Sequence, residues 1–180
     1  MRYERTYSGN VHLPLEQIED HLRVGTDDLS ALYCADAAAR EIEEYCGLAL
    51  LDQTITVTTD AWPGAIVSLP IGPVQSGATA TVAVLELDGS ETPVPSAFWL
   101  EGGRYPRLHF TETEPGGRLR ISYQAGFGSQ PYAIPADLRH AVADQAARLF
   151  DMRGAEDGKP TLAPAAARIA ARWRRVRIDG

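Results

Sequence analysis

The sequence predicts an α+β protein, with helices at both ends of the chain and a small antiparallel β module inserted between them. Apolar residues recur with a helical period over residues 26–47 and again over residues 136–153. Between these stretches the period changes to two, in short segments separated by turns rich in Gly and Pro. Since strands interrupt the helical pattern, we expect the C-terminal helices to pack on the first helices and to complete one helical core.

Two helices joined by a short connection, a helical hairpin, are predicted before the β module. The first, Leu13–Val24, carries apolar residues at a helical spacing. The second, Thr26–Gly47, has no Pro and no internal Gly. Thr26 or Asp27 suits its N-cap, and Gly47 occupies the position where helices commonly end in a left-handed residue.

The β module is predicted over residues 53–130. Asp88-Gly89 and Gly102-Gly103 are typical of hairpin turns. The predicted strands are Gln53–Thr59, Ala65–Leu69, Thr79–Leu87, Phe98–Glu101, Arg107–Thr111 and Leu119–Gln124. Five to seven short strands at this spacing predict a small antiparallel sheet or sandwich.

The chain therefore divides into four predicted parts. Residues 1–52 hold an N-terminal arm of about ten residues and the first helices, and residues 53–130 form the β module. Residues 131–160 supply a long helix that completes the helical core. Residues 161–180, the C-terminal arm, begin with a short Ala-rich helix from Pro164 to about Trp173.

Charge is distributed unevenly along the chain, whose formal net charge is −7. Residues 1–160 hold 23 acidic and 12 basic residues, whereas residues 161–180 hold five Arg and one Asp. An acidic body argues against a general nucleic-acid binder, because contact with phosphates requires Lys and Arg on the binding face. The C-terminal arm is the exception.

Neither the apolar runs nor the cysteines indicate a membrane or secreted protein. No run of about 18 apolar residues is present, and the N-terminus has no signal-peptide pattern, so we expect no membrane partner. Cys34 and Cys46 share one predicted helix about 18 Å apart and cannot form a disulfide with each other there. They are interpreted as small buried residues in a reducing compartment.

No catalytic, cofactor or metal motif is found, so we expect a protein that is not an enzyme and needs no cofactor. His140 and Asp144 lie four residues apart on a predicted helix, a spacing that a metal or an acid–base pair can use. No second cluster completes such a site, which favours a helix-surface pair. Glu41, Glu43 and Glu44 are interpreted as a solvated helix face.

The C-terminal arm mixes cations with apolar residues, and three interpretations remain open. It can be a docking arm for an acidic groove on a protein partner, a segment that binds nucleic acid, or a solvated chain end. Trp and Arg are favoured anchors of protein interfaces, which favours docking. The predicted interface residues are Arg168, Ile169, Arg172, Trp173, Arg174, Arg175, Val176, Arg177 and Ile178.

Four segments follow one another over about residues 13–153: LPLEQIEDHLRV with AREIEEYCGLALLDQT, then LPIGPVQS, ISYQAGFG and IPADLRHAVADQAARLF. In this order they resemble the siphophage head–tail connector (adaptor) proteins, which also occur in gene transfer agents. The residues that carry the resemblance are Arg40, Glu43, Tyr45, Gly47, Leu50, Leu69, Pro70, Pro73, Val74, Tyr123, Gly126, Gly128, Pro135, Leu138 and Arg139.

The resemblance implies a structural protein at the head–tail junction of a phage-like particle, assembled in the bacterial cytoplasm. It implies a homo-oligomeric ring, often of twelve copies, between the portal protein and the stopper and tail proteins. DNA is expected to pass through the lumen without specific binding. The C-terminal arm is then expected to contact the portal. The alternative is a DNA-binding accessory protein that acts through the basic arm.

Overall fold

The structure, a computed structural model, describes residues 1–7, 21, 29–94, 98–111, 117–152 and 161–175. The chain forms two compact units. The β unit comprises residues 1–10 and 51–129, and the helical unit comprises residues 11–50 and 130–180. Except for His21, which is helical, the predicted helix Leu13–Val24 lies outside the described residues, as does the predicted N-cap at Thr26 or Asp27.

The described part of the helical unit contains α1 (Leu29–Cys46), α2 (Ala136–Asp151) and α3 (Pro164–Trp173). Helices α2 and α3 pack on α1 and on each other, which confirms the α+β class and the predicted helical core. Small side chains dominate the contact and allow close packing. The buried residues are Ala31, Ala35, Ala38, Ala39, Ile42 and Cys46 of α1, Leu138, Ala141, Val142 and Ala146 of α2, and Ala166, Ile169 and Ala170 of α3.

Helix α1 ends as predicted, at a left-handed glycine. Gly47 has a φ of 66°, and the Leu48 N–H donates to the Glu43 carbonyl at 3.1 Å, the pattern of a Schellman motif. The prediction that Glu43 lies on a solvated face is wrong, because its side chain is only 2 % exposed. Its carboxylate accepts the Leu50 N–H at 2.7 Å, so the chain that follows the helix folds back over it.

The β unit holds two antiparallel sheets within the described residues. Their strands are β1 (Arg2–Tyr7), β2 (Gln53–Thr58), β3 (Ile66–Ser68), β4 (Ala80–Leu85), β5 (Glu91–Pro93), β6 (Phe98–Glu101), β7 (Arg107–Phe110) and β8 (Arg118–Ala125). The five-stranded sheet has the order β1-β2-β8-β4-β5, and the three-stranded sheet has the order β3-β7-β6.

The first residues are not an irregular arm. Strand β1 pairs with β2 from Arg2 opposite Thr58 to Tyr7 opposite Gln53. It is an edge strand whose side chains are exposed or half-buried, and its sequence therefore lacks the apolar alternation that indicates a strand.

Asp88-Gly89 forms the predicted turn between β4 and β5, and Gly89 has a φ of 86°. Hydrogen bonds from the hydroxyl and the N–H of Ser90 lower the pKa of the Asp88 carboxyl below its ordinary value. Their contribution to the turn is therefore present above the unfolded pKa and is lost as pH falls through the lower folded value.

Residues 69–74, the LPIGPV segment, are held against β8 by the Tyr123 hydroxyl. This buried hydroxyl accepts the Ile71 N–H at 3.2 Å and donates to the Ile71 carbonyl at 2.9 Å. The Gly126 N–H donates to the Pro73 carbonyl at 2.8 Å. Two of the segments that carry the family resemblance are thus neighbours in space, and their residues organise the β unit.

Removing the Tyr123 hydroxyl is expected to destabilise the β unit. In Tyr123→Phe, the buried Ile71 N–H and carbonyl lose their partner, so the free energy of unfolding should fall by about 1–3 kcal/mol. Urea unfolding measures the change. Tyr3→Phe, at a side chain 40 % exposed in the same unit, is the control and should be near neutral; an equal loss in both variants would contradict the assignment.

Gly126 is expected to reject any side chain. An added Cβ would lie 2.5 Å from the carbonyl carbon of Leu51 and from the Asp52 nitrogen, and φ is 151°. Gly126→Ala should therefore lower the thermal midpoint far more than Gly77→Ala does. Gly77 also has a positive φ, 79°, but open space around it, so its cost should be about 1–2 kcal/mol from conformation alone. Equal thermal midpoints of the two variants would show that the close approach of Leu51 and Asp52 to Gly126 is unimportant.

Candidate docking segment at the C-terminus

Helix α3, which begins the C-terminal arm, is attached to the helical unit through the buried amide of Gln145. The Ala163 N–H, at the start of α3, donates to Gln145 Oε1 at 2.6 Å. Gln145 Nε2 donates to Glu41 Oε2 of α1 at 2.5 Å. Gln145 itself lies on α2 and is 1 % exposed. One amide therefore joins all three helices by hydrogen bonds.

The apolar side of α3 is part of the protein's own core. Ala166, Ile169 and Ala170 are buried, whereas Arg168 and Arg172 are exposed. This division follows the helical period, since Ile169 and Ala170 lie three and four positions after Ala166.

The end of α3 is joined to the first turn of α2. Trp173 Nε1 donates to Asp137 Oδ2 at 2.9 Å, and an Arg172 guanidinium nitrogen lies 3.4 Å from the same oxygen. Asp137 is the acidic residue in the first turn of α2, where the helix dipole favours negative charge. The indole is half-buried, so its ring packs while its N–H is bonded.

The two residues after α3 cover the C-terminal end of α1. The Arg175 N–H donates to the Cys46 carbonyl at 3.0 Å, which satisfies one of the carbonyls that a helix end leaves free. The Arg174 guanidinium lies 5.4 Å from the centre of the Tyr45 ring, within cation–π range. The backbone from Pro164 to Arg175 is therefore fixed on the helical unit.

The predicted interface residues thus divide into three groups. Arg168, Arg172 and Arg174 are exposed and form the arginine face of the segment. Ile169 is buried and Trp173 and Arg175 are half-buried, so these three attach the segment to its own chain. The predicted interface residues Val176, Arg177 and Ile178 lie outside the described residues.

Sequence reasoning missed the residues that receive the segment. Asp137 and Gln145 occur on a helix predicted correctly, but the pattern of α2 alone does not show which segment meets them. The available signal for this contact was the acidic side chain of Asp137 in the first turn of the helix. That position, however, equally suits a carboxylate exposed to solvent.

His140 and Asp144 interact as a surface pair, and His21 joins them. His21 Nε2 lies 3.1 Å from Asp144 Oδ1, and His140 Nε2 lies 3.7 Å from Asp144 Oδ2. No group of three His, Cys, Asp or Glu side chains suited to a metal ion occurs among the residues described. Cys34 and Cys46 form no disulfide; Cys46 is buried as expected, whereas Cys34 is only half-buried. No helix in the described part of the chain is long and apolar enough to cross a bilayer.

Solved neck structures of gene transfer agent particles match the whole chain. A chain in the neck of an empty particle, computed with C6 symmetry, is 31% identical with a TM-score of 0.82, and the match covers 100% of this chain and 98% of that chain. A chain in the virion of a native gene transfer agent particle gives the same values. A chain in the neck of a native particle, computed with C12 symmetry, is also 31% identical, with a TM-score of 0.81 and the same coverage.

This protein belongs to the head–tail connector (adaptor) family of siphophages and gene transfer agents. No family model matches the sequence, and no curated protein does. As a member of this family, the connector is a structural component of the head–tail junction of a phage-like particle. Its relatives in these structures are structural neck proteins.

Replacing the buried amide that joins the helices is expected to destabilise the connector. In Gln145→Leu, the Ala163 N–H and Glu41 lose their partner at a buried position, so unfolding should require about 1–3 kcal/mol less. Urea unfolding measures the effect, and hydrogen exchange at residues 163–173 should accelerate. The control is Gln124→Leu at an exposed position of β8. Unchanged exchange in α3 would show that Gln145 does not hold it.

Proposed function

We propose that the connector forms a homo-oligomeric ring between the portal protein and the stopper and tail proteins, with DNA passing through the lumen. The observation that supports it best is the full-length match to neck chains from assemblies computed with C6 and C12 symmetry. A head-to-tail contact between copies, repeated about an axis, closes into a ring when the rotation permits. Twelve copies agree with the C12 assembly.

The acidic body suits a ring through which DNA slides. Outside residues 161–180, the chain carries 23 acidic and 12 basic residues. Negative charge toward a lumen makes the electrostatic potential there negative and so repels the phosphates of the DNA. A protein that gripped DNA would instead need several Lys and Arg at the DNA, each releasing counterions.

The arginine face of the C-terminal segment is the proposed contact with the portal. Arg168, Arg172 and Arg174 are exposed on a segment whose backbone is already fixed by Asp137, Gln145 and Cys46. A partner that binds a preformed surface loses less conformational entropy than one that orders a free arm. Guanidinium groups favour carboxylates in a bidentate geometry, so the matching portal surface should be acidic.

Reversing the charge of this face should weaken capture by the portal. For Arg168→Glu, Arg172→Glu and Arg174→Glu together, we expect at least a tenfold loss of affinity, because each reversal places like charges at the contact. Interferometry or a pull-down with purified portal measures it. The matched control is Arg118→Glu, an exposed arginine of β8, and circular dichroism checks that both variants are folded.

The design avoids truncation after Pro160, because that removes Ala166, Ile169 and Ala170 from the core. A chain that ends at Arg175 is the milder truncation and tests the contribution of Val176, Arg177 and Ile178.

Equal capture of the wild type and the triple variant by the portal would show that the contact does not involve the arginine face. A wild-type chain that stays monomeric with portal present would refute the ring. Salt-dependent retention of DNA, lost in the triple variant, would instead favour a DNA-binding accessory protein.

A further inference from the structure

The three-stranded sheet of β3, β7 and β6 buries one side and exposes the other, which we name the outer face. Side chains alternate along each strand, and Val67 and Leu108 are buried on the inner side. On the outer face, Ile66 and Trp99 both lie opposite His109 in the strand register. Ile66 is 57% exposed and Trp99 is 50% exposed. A row of large side chains therefore crosses this sheet at the surface of the protein.

The ring of Trp99 is held in place before any partner binds. It stacks on the His109 ring, with 4.0 Å between the ring centres and 4° between the planes. His109 Nε2 in turn lies 2.7 Å from Glu101 Oε2. A partner that covers this indole loses little side-chain entropy, because the ring is already ordered. Trp is also among the residues that most often anchor protein interfaces.

Arginines border the outer face. Arg107 is exposed and lies two residues before His109 on β7, hence on the same face. The Glu101 carboxylate opposite Arg107 is bonded to His109 instead. In the turn between β6 and β7, the exposed Arg104 guanidinium lies 5.3 Å from the centre of the Tyr105 ring. Aromatic residues with Arg are typical of interfaces, and the cations favour an acidic partner.

The tip of the hairpin formed by β4 and β5 has the complementary character. Leu87 is 100% exposed there, between the exposed Glu86 and Asp88. The Glu86 N–H donates to the Ser90 carbonyl at 2.9 Å. The Asp88 carboxylate accepts the hydroxyl and the N–H of Ser90, and these bonds lower the pKa of that carboxyl and keep it charged. The tip thus presents an apolar side chain between two carboxylates, which matches an apolar surface bordered by arginines.

The tip does not reach Trp99 of its own chain. Trp99 and Ala80 line the same cleft, so Trp99 lies near the start of β4. Leu87 lies two residues beyond the other end of that strand, about 20 Å away at the rise of a β-strand. The tip therefore meets the outer face only in another copy of the chain.

We propose that the tip of one connector copy docks on the outer face of the next copy and forms the repeated contact of the ring. Leu87 covers Trp99, while Glu86 and Asp88 face Arg107 at the border. The contact rests on the proposed ring function and specifies which surfaces join the copies. It is heterologous, and each copy contributes one tip and one face to its two neighbours. The carboxylates meet guanidinium groups near water, so no charge is buried without a partner.

Exchanging charges across the contact tests the pairing. Glu86→Arg alone and Arg107→Glu alone should each raise the concentration at which the ring dissociates at least about tenfold, because each places like charges at the contact. The variant with both changes should recover most of that loss, since every contact again joins opposite charges. Light scattering in the presence of portal measures the assembly, and circular dichroism checks folding. The control, Arg2→Glu at an exposed arginine of β1, should assemble like the wild type.

Removing the apolar side chain of the tip tests the other half of the contact. Leu87→Ser should also raise the dissociation concentration at least about tenfold, because the ring no longer buries a leucine. Tyr132→Ser, at a side chain 78% exposed in the helical unit, should leave it unchanged.

Rings of wild-type stability in the three single variants of the tip and outer face would overturn the proposal and leave the ring function intact. So would a loss that the double variant does not recover. Normal rings that have lost only capture of the stopper or tail protein would also overturn it, because these surfaces would then bind another protein. A wild-type chain that forms no ring with portal would instead refute the ring itself.

Discussion

The helical unit depends on one buried polar side chain, the amide of Gln145. Its two ends reach Glu41 on α1 and the backbone N–H of Ala163 at the start of α3. A buried amide without partners destabilises a fold by a few kcal/mol, whereas a satisfied one requires its partners in fixed positions. The alanine-rich packing around it lets the helices approach closely but specifies their register weakly. Gln145 supplies that register, and with it the position of the C-terminal segment.

This attachment changes how the C-terminal segment is understood. Composition suggests an arm, because cations and apolar residues alternate over a short stretch. In the structure Ile169 lies in the core and Trp173 bonds Asp137, while Arg168 and Arg172 point to solvent. The same helix therefore stabilises the unit with one side and presents charge with the other. The surface that we propose for docking is therefore already formed in the single chain, which would favour rapid and specific association over folding on binding.

Local signals predicted many elements correctly. Gly47 and Gly89 adopt the left-handed conformations expected of a helix end and a tight turn, because these depend on neighbours in sequence alone. The helix Pro164–Trp173 was predicted with its observed bounds. Strand β1 was missed because an edge strand need not alternate apolar and polar residues. The burial of Glu43 was missed because it depends on Leu50, which folds back only in three dimensions.

The α+β class, the insertion of a β module between helices and the family could all be predicted from the sequence, since the resemblance depends on short segments in a fixed order. The contacts that those segments make depend on the tertiary fold. Tyr123 and Pro73 meet because β8 lies against the LPIGPV segment, and Gly126 has no side chain because Leu51 and Asp52 approach it. The tertiary structure was also needed to distinguish the exposed arginines of α3 from the residues that attach α3 to the helical unit. Periodicity records which side of a helix is apolar, whereas partner identity depends on contacts between residues far apart in the chain.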